Sequence, residues 1–173
     1  MNDMTTQVEA CIASGRRVAR SRVPQQWSIV ALRETIGPEQ QQLVDTPELA
    51  DEYWEKNVAT DQRLNHECET LVVLLLNTRR RIKGHVVVSM GTMDTLLTHP
   101  REVFRAAIIA SAHSIIIMHN HPSGDPTPSE ADIKVTRDLQ RAGQLVKIEV
   151  LDHVIVGTPG KHSSLRTLGY MAF

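Results

Sequence analysis

Residues Thr70 to Leu76 read T-L-V-V-L-L-L, and this run limits the fold more than any other stretch. Seven residues are too few for an ordinary buried helix, and the absence of polar alternation does not suit a strand with one wet face. The run fits a strand buried on both faces, so the sheet that holds it needs a layer on each side. Asn77 to Arg81 reads as a turn and Ile82 to Met90 as a second, Val-rich strand, the two strands pairing as a hairpin. Ser114 to Met118 (S-I-I-I-M) reads as a short central strand, and His119 to Pro126 as a loop. Val146 to Val156 holds a last strand or pair of strands.

Three helix starts stand between these runs. Thr46-Pro47-Glu48 offers a hydroxyl N-cap, proline at N1 and an acid in the first turn, and predicts a helix to about Val58. His99-Pro100-Arg101-Glu102 opens a second helix with Val103, Ala106, Ala107 and Ala110 on its apolar side. Thr127-Pro128-Ser129-Glu130 has the form of a capping box and predicts a helix ending near Gly143. Strands, helix, strand, helix, strand is the order of an α/β layer domain.

The first 45 residues differ in character. Val8, Cys11 and Ile12 at helical spacing suggest a weak helix ending before Pro24, and Trp27 to Leu32 a short strand. Residues 1–45 are therefore read as an N-terminal extension and 46–173 as the domain. With 41% apolar but only 3% aromatic residues, the core must be built from aliphatic side chains. Lys and Arg total 19 against 20 Asp and Glu, which lacks the basic excess of a general nucleic-acid binder. The local basic runs at Arg16, Arg17, Arg20 and Arg22, and at Arg79, Arg80, Arg81 and Lys83, read as solvated faces. Cys11 and Cys68 form no C-x-x-C pair, so neither a thiolate zinc site nor a disulfide framework is indicated. No apolar run behind a basic stretch suggests a signal peptide, and none approaches the ~18 residues of a membrane span. A cytoplasmic protein without membrane contact is expected.

The segment from 119 to 132 carries the chemistry: H-N-H-P-S-G-D-P-T-P-S-E-A-D. His119 and His121 follow a buried strand, and in extended chain residues i and i+2 face one side. Ser129 and Asp132, three apart near a helix start, share a helix face, with Ser129 at N2. Two imidazoles and one carboxylate suit Zn²⁺ with a fourth, open position, where water is activated near neutral pH. An H-x-H alone is often a polar loop, and an Asp in a first turn often just complements the helix dipole. The combined spacing H-x-H-x7-S-x2-D is far more restrictive. It predicts one zinc per chain, although such ligands also suit Fe, Mn or Co.

That spacing resembles the JAMM (MPN+, JAB) metalloprotease signature. Three blocks are similar to its RadC branch: Gly91 to Phe104 (G-T-M-D-T-L-L-T-H-P-R-E-V-F), Met118 to Asp132, and Val150 to Gly157 (V-L-D-H-V-I-V-G). The resemblance covers about residues 45–168. It implies a JAB/MPN-type α/β fold, a cytidine deaminase-like mixed sheet flanked by helices. It also implies His119, His121 and Asp132 as zinc ligands, and Ser129 as a hydrogen-bond donor to the tetrahedral intermediate. For the general base it implies an upstream glutamate, with Glu69 the best match and Glu67 the alternative. His153 belongs to the RadC-like pattern and either lies beside the site or caps a strand end. Asp125 is read as a turn residue, and His113 as a side chain outside the ligand set. RadC proteins usually begin with a helix-hairpin-helix segment. Residues 1–45 show no glycine-bearing hairpin, so the chain is read as a shorter form, which weakens any DNA-repair role.

The resemblance implies a zinc-dependent peptidase or isopeptidase acting on a peptide or isopeptide bond. Two other classes compete: a DNA-associated protein or metal-dependent nuclease, and a scaffold that keeps the metal without catalysis. The letters H-N-H do not support a nuclease, because that motif spreads over a longer ββα unit. Partners and oligomeric state carry no signal.

Overall fold

A strand apolar on both faces needs cover on both faces, and Thr70–Leu76 receives it in the computed structural model, which describes residues 42–65, 67–91 and 98–171. The expected N-terminal helix and Trp27–Leu32 strand lie outside those residues. Every residue of β1 (Thr70–Leu76) is buried. Leu71, Val73 and Leu75 enter one core and Val72, Leu74 and Leu76 the other. Each such side chain contributes about 1.5–3 kcal/mol on burial, so β1 tolerates a polar replacement poorly.

β2 (Ile82–Met90) pairs antiparallel with β1 across the Asn77–Arg81 turn, as the hairpin pattern predicts. β3 (Ser114–Asn120) pairs antiparallel with the other edge of β1. β4 (Glu149–Val156) runs parallel to β3, and β5 (His162–Ser164) antiparallel to β4. The order β2-β1-β3-β4-β5 is a mixed sheet. On one face α1 (Pro47–Asn57) packs Ala50, Tyr53 and Trp54. On the other, α2 (Pro100–Ile109) and α3 (Glu130–Val146) contribute Val103, Phe104, Ala107, Ile133 and Leu139. This is the expected α/β architecture of JAB/MPN type. No helix among the described residues is long and apolar enough to cross a membrane.

The first two helix starts form as read. The Thr46 hydroxyl accepts from the Leu49 amide at 3.4 Å with Pro47 at N1, and His99 Nδ1 accepts from the Arg101 amide at 3.1 Å.

Four local expectations need correction. β3 continues two residues past Met118, because His119 still pairs with Leu71 and Ile155, and Asn120 with Val156. The capping box is Ser129 with Asp132, not Thr127 with Glu130. Thr127 is taken instead by Asp125, whose Oδ1 accepts from the Thr127 amide at 3.0 Å and hydroxyl at 2.7 Å. The prolines at 126 and 128 disfavour helical backbone in the residues before them, so the helix starts only at Glu130, capped by Ser129. At its other end α3 passes Gly143 and stops at Lys147, which takes the left-handed conformation. Gly143 is a point of close packing: a Cβ there would lie 2.5 Å from the Ile148 carbonyl oxygen. Finally, β5 forms beyond the last strand that the apolar pattern marks.

Candidate metal centre

The end of β3 and the start of α3 meet at one point. His119, 0% exposed, is the sixth residue of β3; His121 follows the strand, its amide donating to the Val156 carbonyl at 2.8 Å. Their Nε2 atoms are 3.0 Å apart. Asp132 is N3 of α3, with Oδ1 3.3 Å from His119 Nε2 and Oδ2 3.5 Å from His121 Nε2. One ligand atom from each of the three residues lies within 4.8 Å of the other two, so the cluster could hold a metal ion.

The donor set fits a divalent cation. The His121 Nδ1 lies 2.8 Å from the Asp125 carbonyl oxygen. A carbonyl only accepts, so this nitrogen carries a proton, and in the neutral ring His121 Nε2 presents a lone pair to the cluster. That lone pair faces a second imidazole nitrogen and a carboxylate, an arrangement that a cation relieves and neutral groups alone do not. Burial works to raise the Asp132 pKa, but the facing imidazoles of His119 and His121, with the Ser129 hydroxyl, outweigh it and hold the carboxyl ionised, well below the usual range. The His121 ring is shifted upward, chiefly by the facing Asp132 carboxylate, which favours its protonated form, against the opposing effect of burial. Asp125 serves the turn, as its short polar side chain suggested.

Glu69 sits immediately before β1, half-buried, and its backbone carbonyl accepts from the Gly91 amide at 2.8 Å. Leu71, two residues on, pairs with His119, so Glu69 stands at the cluster's end of the sheet, and its negative charge is the smallest of the causes that raise His121. Glu67 is exposed in the preceding turn, with its amide donating to Asn65 Oδ1 at 3.1 Å. Ser129 is not at N2 but at the N-cap, and it is exposed. Its hydroxyl donates to Asp132 Oδ2 at 2.6 Å, and its amide donates to the same oxygen at 2.8 Å. The Asp132 amide in turn donates to Ser129 Oγ at 3.2 Å. The two halves of the cap thus orient the carboxylate. His113 is exposed.

The alternatives left open for His153 resolve to a place beside the site. His153 is buried in β4, with Nε2 2.8 Å from His119 Nδ1. A bulge puts it there. Ile115 faces Val150 but Ile116 faces Asp152, so Leu151 is an extra residue on β4. One inserted residue turns all later side chains to the opposite face, which aligns His153 with Ile117 and His119. Burial lowers the His153 pKa far below its usual value and leaves the ring neutral. The remaining partner, Thr136, escaped the motif reading. Its hydroxyl lies 2.6 Å from His153 Nδ1 and donates to the Asp132 carbonyl at 2.6 Å. The signal was its position four residues after Asp132, on the same helix face.

The loop between the ligands is clamped. The Thr158 amide donates to the Gly124 carbonyl at 3.1 Å. Gly157 approaches so closely that a Cβ would lie 2.4 Å from that carbonyl oxygen and 2.9 Å from Pro126 Cδ.

Comparison with known proteins identifies the family of the domain. A family model described as RadC-like JAB domain matches residues 44–170. The chain is 50% identical over 105 residues to a UPF0758 protein of Caldanaerobacter subterraneus, covering 61% of this chain and 45% of the relative. It is 58% identical over 89 residues to one of Chlorobaculum parvum, covering 51% and 40%. It is 38% identical over 163 residues to one of Thermosynechococcus vestitus, covering 94% and 57%. The chain spans about half the length of the curated relatives it matches.

Proposed function

We propose that this chain, which belongs to the RadC-like JAB domain family, is a zinc-dependent hydrolase that cleaves a peptide or isopeptide bond. The observation that carries the reading is the convergence of His119, His121 and Asp132, with Glu69 two residues before Leu71, the strand partner of His119. A zinc ion held by these three residues supplies Lewis acidity, which lowers the pKa of water and polarises a carbonyl. Glu69 receives the proton of the attacking water and delivers it to the leaving amine, the work of a general base and then a general acid. The Ser129 hydroxyl, exposed and held against Asp132, turns its proton toward the developing oxyanion. Asp132 stays ionised throughout, as a ligand must. The near-balanced charge of the chain supports a peptide-type substrate over nucleic acid.

The test is a cleavage assay of the zinc-loaded protein on fluorogenic peptides and on isopeptide-linked lysine substrates. The wild type is expected to cleave one class. Glu69→Gln is expected to keep zinc and lose activity by about 10²- to 10⁴-fold, the usual worth of a general acid–base, while Glu67→Gln stays active. A zinc-loaded wild type that cleaves neither class would remove the hydrolase reading and leave a metal-binding scaffold.

A further inference from the structure

We propose that Thr136 and His153 are positioning residues that fix the proton on His119 Nδ1 and so leave His119 Nε2 bare for the metal. The proposal rests on metal binding by the cluster and not on hydrolysis. Its basis is the order in which hydrogen-bond directions are forced. Thr136 has one hydroxyl proton. The backbone carbonyl of Asp132, 2.6 Å away, can only accept, so the proton points there. Thr136 Oγ1 must then accept from His153 Nδ1, also 2.6 Å away. With its ring proton on Nδ1, His153 has an acceptor at Nε2, which takes the proton of His119 Nδ1 across 2.8 Å. His119 Nε2 is left with a lone pair, pointed at His121 Nε2 and Asp132. Thr136, His153 and His119 are 0%, 1% and 0% exposed, so solvent does not compete for these bonds.

The relay also couples two elements. It begins on the carbonyl of Asp132 and ends on the imidazole that Asp132 faces, so the placement of α3 and the tautomer of His119 are set together. The Leu151 bulge is what delivers His153 to this face, which gives that irregularity a purpose. His121 is oriented separately, by the Asp125 carbonyl. Each imidazole therefore has its own acceptor behind it, one in the loop and one in the core. Such partners fix ring orientation and raise ligand basicity.

The experiment is zinc affinity of the whole chain by competition with a chromophoric chelator at one fixed pH, with folding followed by circular dichroism. His153→Phe keeps a ring but offers no acceptor, and His119 is then free to carry its proton on Nε2. Its zinc affinity is expected to fall about 10- to 100-fold. The side-chain carbonyl of Gln can accept in place of Nε2, so His153→Gln is expected to restore affinity to within the few-fold value of one neutral hydrogen bond. Thr136→Val, close to isosteric, is expected to lose about 2- to 10-fold by removing one such bond, and decides the matter alone if His153→Phe does not fold. Wild-type affinity in folded His153→Phe or in Thr136→Val would overturn the relay, as would a His153→Gln variant as weak as His153→Phe. A wild type that binds no zinc would overturn the metal centre and the relay together, whereas binding without cleavage would leave the relay standing.

Discussion

Gly157 stands outside the ligand set, yet adding one methyl group there should loosen the metal centre. An alanine Cβ would lie 2.4 Å from the Gly124 carbonyl oxygen and 2.9 Å from Pro126 Cδ. Real Cβ contacts do not go below 3.0 Å, so the loop must retreat by about 0.6 Å. The two displaced residues flank Asp125, whose carbonyl holds the His121 ring at 2.8 Å. A site needs its groups within about 0.5 Å of the productive geometry, so His121 should be misaimed by an amount that matters. We expect Gly157→Ala to cost about 1–3 kcal/mol of stability, as overpacking does, and about 10- to 100-fold in zinc affinity, the scale of losing a ligand's supporting partner. Urea denaturation of the metal-free protein and chelator competition measure the two. Gly160 provides the control in the same turn. It has φ 77° but no atom within 4 Å of an added Cβ, so Gly160→Ala should cost stability through backbone strain alone and leave zinc affinity unchanged. A Gly157→Ala protein with wild-type affinity would refute the argument that this contact positions the loop.

Other outcomes follow from the same geometry. Ser129→Ala removes the N-cap of α3 and should lower stability by about 1 kcal/mol in urea denaturation; an unchanged midpoint would show that the cap carries no weight. Burial pushes the Tyr53 phenol up to about 12, while the unfolded chain releases that proton near 10. A folded pKa above the unfolded value means stability is lost as pH rises from about 10 through about 12. Tyr53→Phe should flatten that part of the stability–pH curve, and an identical alkaline slope in the variant would count against a buried, protonated Tyr53.

Much of the fold was legible because the aliphatic runs are pure. Thr70–Leu76 and Ile82–Met90 form strands with the bounds their composition marks, and Thr46-Pro47 and His99-Pro100 start helices where a capping side chain precedes proline. The cluster of His119, His121 and Asp132 was legible from spacing alone, since a strand end and a helix start each fix the side on which a residue points. What escaped depends on contacts that the residue pattern does not mark. Thr127 reads as the cap of α3 and Ser129 as N2, but the Asp125 carboxylate takes Thr127 and Ser129 caps the helix instead. Past Met118 the strand loses its apolar signature but keeps its partners in β1 and β4. The extra residue in β4 has no mark in the run V-L-D-H-V-I-V, so the face taken by His153 follows only from its pairing with β3. Thr136 lies on the helix face of Asp132, which marks it as a neighbour of that ligand but not of the imidazole it meets in β4.

Elemental analysis of purified protein tests the metal centre most directly, with the wild type beside Asp132→Ala and Glu69→Ala after zinc has been supplied. One zinc per chain is expected in the wild type, lost in Asp132→Ala, where the carboxylate facing both imidazoles is removed, and kept in Glu69→Ala, where only a neighbouring charge is lost. A wild type without zinc, or an Asp132→Ala protein that retains it, would contradict a centre built from His119, His121 and Asp132.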